Sequence, residues 1–142
     1  MSQQIAETND CTVKAVSRAF GISYEAAHEL MRISGRENRE GHYDFRYWAQ
    51  NQNCSEFFVF LSPAPTLRQF LTKQGRSGCW LVAIPGHAFA IQDGQILNDY
   101  PLSESVHLSW AARTDGTSPK RVSDPKRNEV SRNLLEEFRR TK

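Results

Sequence analysis

From Cys11 onward the apolar residues Val13, Val16, Ala19 and Phe20 recur at three- and four-residue spacing, while Lys14, Ser17 and Arg18 point elsewhere. The pattern predicts a helix with Asn9 and Asp10 as N-cap types before it and Gly21 closing it. A second helix follows, capped by Ser23, with Glu25 in its first turn, Ala27, Leu30 and Met31 inward, and Gly35 at a left-handed C-terminal position. Polar residues 35–43 read as a loop, and 44–50 as a short helix with Phe45 and Trp48 inward. Thr66 caps a further helix carrying Leu67, Phe70 and Leu71, ended by Gly75.

Between and after these helices the period changes. Residues 55–61 form an aromatic, β-branched strand candidate that Pro63 and Pro65 break. Then come two strands, 79–84 and 87–92, around the Pro85-Gly86 turn, and a third, 95–99, after Asp93-Gly94. Asp-Gly between alternating apolar residues is a strong hairpin signal. Residues 106–111, around Trp110, are a candidate for one more strand. Residues 114–127 look like a linker, and 128–140 like an amphipathic helix with Val130, Leu134, Leu135 and Phe138 on one side. Helices first and a mainly antiparallel sheet second predict an α+β domain over 1–112, with a basic C-terminal appendage over 113–142.

Length and charge add little to this. A chain of 142 residues, 39% hydrophobic, suits one domain with a core. No apolar run approaches the ~18 to 20 residues of a membrane helix. The start, Met1 to Glu7, lacks a signal peptide's basic and apolar segments, so a cytoplasmic location without membrane contact is expected. The net charge of +2 divides unevenly. From Arg113 onward nine Lys/Arg face five Asp/Glu, a net +4, leaving nine against eleven, −2, in the first 112 residues. A basic helical tail packing back on the domain accounts for this. Nucleic-acid binding through the tail is the weaker alternative, because phosphate contacts need only Lys and Arg but no groove-reading motif is present.

The cysteines narrow the chemistry. Three of them (Cys11, Cys54 and Cys79), with no CxxC pair and no histidine at ligand spacing, argue against both a disulfide framework and a zinc site. No metal or other cofactor is expected. Cys11 stands at a predicted helix start, where unpaired amides and the dipole favour a thiolate nucleophile. His87 opens a strand directly after a turn and is the candidate base. A two-residue turn at Asp93-Gly94 would pair Ile91 with Ile96, Phe89 with Asn98 and His87 with Tyr100. Asn98 then shares the histidine's face, whereas a bulge or a one-residue shift brings Asp99 there instead. Either side chain can hold an imidazole tautomer.

The segments Asn9-Asp10-Cys11-Thr12-Val13, Thr66-Leu67, Phe70-Leu71, the 79–84 strand, Gly86-His87-Ala88-Phe89-Ala90-Ile91, Asp93-Gly94, Asp99 and Trp110 resemble a group of small phage-encoded proteins. That group is similar to the papain-like peptidases that remove leader peptides after double glycines. The resemblance covers roughly residues 9 to 111. It implies a papain-like fold and a cysteine hydrolase, a peptidase or isopeptidase. Cys11 would be its nucleophile, His87 its base and acid, and Asp99 its orienting residue in place of Asn98. It implies a protein or peptide as substrate or host target, in a host cytoplasm. Such enzymes carry an oxyanion-donating Gln about half a dozen residues before the cysteine. Ile5 and Glu7 stand six and four before Cys11, and Gln4, seven before, is the candidate. The alternative is a catalytically inactive papain-like module that binds a host protein.

Overall fold

The computed structural model describes residues 10–35 and 45–123. Helix α1 spans Cys11–Phe20 and ends at Gly21 in the left-handed region, φ 69°. Helix α2, Tyr24–Ser34, starts where the Ser23 hydroxyl accepts from the Ala26 amide and ends at left-handed Gly35. Helix α3 is Phe45–Gln50. Helix α4, Leu67–Thr72, carries a full capping box: Thr66 Oγ1 accepts from the Gln69 amide, and Gln69 Oε1 accepts from the Thr66 amide. A 3₁₀ turn, Gln74–Arg76, follows it.

The strands are β1 (Glu56–Val59), β2 (Cys79–Ile84), β3 (His87–Gln92), β4 (Gln95–Leu97) and β5 (Trp110–Arg113). They form one sheet in the order β1-β5-β2-β3-β4, antiparallel at every pairing. The α+β architecture read from the pattern is therefore present. Asp93 and Gly94 both have positive φ, as a tight two-residue hairpin requires, and Ile91 pairs with Ile96.

Strand alternation decides what each face buries. Leu81, Ala83, Ala88, Ala90, Trp110 and Ala112 pack with Val13, Val16, Ala27, Met31 and Trp48 of α1–α3. Trp80, Val82, Phe89, Ile91 and Ala111 pack on the other side with Leu67 and Phe70 of α4 and with Leu108. Small residues at 88 and 90 let α1 lie close over β3, and full burial of each larger side chain contributes about 1.5–3 kcal/mol.

Three expectations shift. The last strand lies at 110–113 rather than 106–111, because residues 106–108 bond the start of α4: Leu67 N–H donates to Val106 O and Leu108 N–H to Pro65 O. Strand β4 stops at Leu97, two residues early, and Asn98 and Asp99 stand outside the ladder. The boundary expected after 112 falls inside β5, and the first part of the linker segment belongs to the body. Thr114 Oγ1 donates to Ala19 O at 2.5 Å, Gln52 holds both the amide and the carbonyl of Lys120, and Val122 packs on the α1–α3 cluster. The helix expected over 128–140 lies outside the described residues. Among the described residues no helix is long and apolar enough to cross a membrane.

Candidate active site

The end of the sheet where β3 begins faces the start of α1 across a cleft of about 330 Å³. Cys11, Lys14 and Arg18 line it from the helix; Gly86, His87, Asn98, Asp99 and Tyr100 line it from the strands. Cys11 is half-buried at the first position of α1. The first-turn amides there have no partner within the helix. Asp10 occupies the N-cap position as expected, but its side chain does not cap. It is buried, accepts from the Tyr24 hydroxyl at 2.8 Å, and has Lys14 Nζ at 3.6 Å.

His87 is fixed from three directions. Its ring lies 6.0 Å from that of Phe89, nearly parallel, and 5.4 Å from that of Tyr100. Its Nε2 stands 2.9 Å from Asn98 Oδ1. The Asn98 Nδ2 donates to the Tyr100 carbonyl at 2.8 Å, which sets which way the amide points. An amide oxygen only accepts, so Nε2 carries a hydrogen, and in the neutral ring the lone pair is on Nδ1. The Tyr100 hydroxyl lies 3.5 Å from that Nδ1. The side chain of Tyr100 is thus the neighbour of Nδ1, and that of Asn98 the neighbour of Nε2. Among the described residues no hydrogen bond joins Cys11 to His87, and both line the cleft.

Asp99 is placed differently from the role the resemblance implied. Its carboxylate accepts from Lys14 Nζ and Arg18 Nη2 on α1, and Asn98 is the residue on the imidazole. The cause is alternation: with Ile91 opposite Ile96, residues 96 and 98 fall on the side of Phe89, and 97 and 99 on the side of α1. The hydrogen bonds from Lys14 and then Arg18 hold the Asp99 carboxyl down to about 2, well below the ordinary carboxylate range. A depressed carboxylate stabilises the fold above the ordinary value, and that contribution is lost as pH falls toward 2. Asp99→Asn is therefore expected to flatten acid unfolding slightly between pH ~4 and 2, relative to the wild type, because solvent screens this exposed cluster. Identical acid profiles in circular dichroism would count against it.

Lys14, Arg18 and Tyr100 escaped the sequence reading as site residues. A signal for the first two existed, since they stand three and seven positions after Cys11 and so share its side of the helix. Gln4 lies outside the described residues. Cys54 is raised to about 11 by burial, and Cys79 is raised by burial and then by Asp115 and Asp93. His107 Nδ1 faces the Ala64 carbonyl at 2.9 Å, remote from the cleft. Among the described residues no group of three or more His, Cys, Asp or Glu side chains converges to hold a metal ion. In comparisons with protein-family models, curated proteins and solved structures, nothing matches the chain.

Proposed function

We propose that the chain is a papain-like cysteine hydrolase acting on an amide, isopeptide or thioester carbonyl in a protein or peptide. The observation that carries this reading is a cysteine at a helix start sharing one cleft with a histidine whose tautomer is set by Asn98. His87 Nδ1 takes the thiol proton as Cys11 Sγ attacks the carbonyl carbon. It returns that proton to the leaving amine or thiolate, and then deprotonates the water that cleaves the acyl-enzyme. Asn98 keeps Nε2–H engaged throughout and steadies the imidazolium. The Cys11 amide is one donor for the developing oxyanion, and Gln4 is the second on the papain-like resemblance. The resemblance further supports a phage origin and a host cytoplasm as the place of action.

Alkylation with iodoacetamide at pH 7, read by peptide mapping, tests the nucleophile. Cys11 is expected to react first, because Cys54 and Cys79 are both held in the thiol form. Reaction at either of those before Cys11 would remove the assignment.

A second reading is a binding module of the same fold without catalysis. It is favoured by the lack of a Cys11–His87 hydrogen bond and by the occupation of both imidazole nitrogens, by Asn98 and Tyr100. On that reading Cys11→Ala keeps the chain's effect in the cell. Loss of the effect with an unchanged fold excludes it.

A further inference from the structure

Asn98 and Asp99 are adjacent in the chain and engaged on opposite sides. Asn98 holds the imidazole, and Asp99 accepts from both cations that α1 presents to the cleft. Lys14 reaches further, with Nζ 3.6 Å from Asp10 Oδ1, and Asp10 accepts from Tyr24 of α2. Asp10 is the residue before Cys11. One ammonium group therefore lies between the residue preceding the thiol and the residue following the imidazole's holder. Nothing else in the hydrogen bonding of the described cleft connects α1 to the 98–100 segment, since β4 has left the ladder at Leu97.

We propose that Asp99, with Lys14 and Arg18, is a positioning latch that sets the imidazole's place relative to Cys11. This inference rests on the hydrolase reading for its use, though not for its geometry. The three side chains are 33–43% exposed. Exposed ion pairs add little to stability, so holding the fold together is not their main effect. Position is a different matter. Asp99 and Asn98 are consecutive, so release of one carboxylate frees the amide beside it. Displacement of a reacting group by an ångström can cost about a hundredfold in rate. Asp99 acts through Asn98 and is not itself a catalytic residue.

The test uses the full chain and two ways of opening the latch, Asp99→Asn and the double variant Lys14→Met/Arg18→Met, with Lys14→Arg as the conservative control. Two readouts are taken. The first is the ring ¹⁵N–¹H correlation of His87, whose Nε2–H is expected to be protected in the wild type. The second is the rate of Cys11 alkylation. Both opened variants are expected to lose the protected Nε2–H signal and to slow alkylation about tenfold or more, with little change in melting temperature. Lys14→Arg is expected to keep both. An unchanged Nε2–H signal in both opened variants overturns the latch, whatever the thiol does. Loss of that signal, together with wild-type alkylation that is indifferent to His87→Ala, upholds the latch and overturns the hydrolase reading instead.

Discussion

His87→Ala is expected to slow hydrolysis of an activated acyl substrate such as p-nitrophenyl acetate by ~10²-fold or more, the usual contribution of a positioned general base. On the proposed hydrolase reading, the substitution removes the nitrogen that would accept the thiol proton and leaves Cys11 at the helix start. Its cost should therefore fall on the acylation rate and not on binding. Asn98→Ala is expected to lose less, in the same direction. It frees the ring to adopt either tautomer, so only part of the population presents a basic Nδ1. Asp99→Asn is expected to act through the same ring, as a positional effect. The measurement is the pre-steady-state burst with mass spectrometry of the acylated peptide. An acyl group on Cys11 at equal rates in wild type and His87→Ala would defeat the base assignment, and acylation elsewhere would defeat the nucleophile.

Trp80→Ala is expected to destabilise the domain by about 3–5 kcal/mol, the range for deleting a buried aromatic. Trp80 is 1% exposed on the central strand. Phe70 meets it edge-on at 5.1 Å, Phe58 stacks at 6.1 Å, and the Arg113 guanidinium lies over its ring at 5.7 Å. Its indole N–H donates to Ser77 O at 2.9 Å. The alanine variant leaves a void among side chains that strands and α4 hold in place. A domain with about 5–15 kcal/mol in all would then stand near its unfolding midpoint. Trp80→Phe should cost less, because it keeps most of the apolar volume and loses the indole donor. Urea unfolding followed by circular dichroism separates the cases. A Trp80→Ala midpoint within error of the wild type would show that β2 is not the centre of the core.

Local chemistry was legible where a residue acts on its own neighbours. Gly21 and Gly35 ended helices as their left-handed φ allows, and Thr66 capped α4 through contacts within four residues. Asp93-Gly94 set the hairpin, and the hairpin put Asn98 on the histidine's side. Asp10 shows the limit of such rules. Its type suits a cap, but Tyr24, fourteen residues on, takes its carboxylate instead. The first part of the 106–111 segment, residues 106–108, lies outside the strand for a similar reason. Its amides and carbonyls meet the start of α4, forty residues earlier in the chain, and no local pattern records that pairing.

Sequence alone determined the helix and strand periods and the tight hairpin, because each follows from side chains a few positions apart; it marked Cys11 by its place at a helix start, and His87 by its pairing with that cysteine. Tertiary structure decided between the two orienting candidates that the sequence left open, along the register that the two-residue turn implies. The sheet's alternation sends Asp99 to the cations of α1 and leaves Asn98 to His87. It also decided that Lys14 and Arg18 belong to the cleft. A charge on a helix face has no address until the fold brings an opposite charge across from a distant strand.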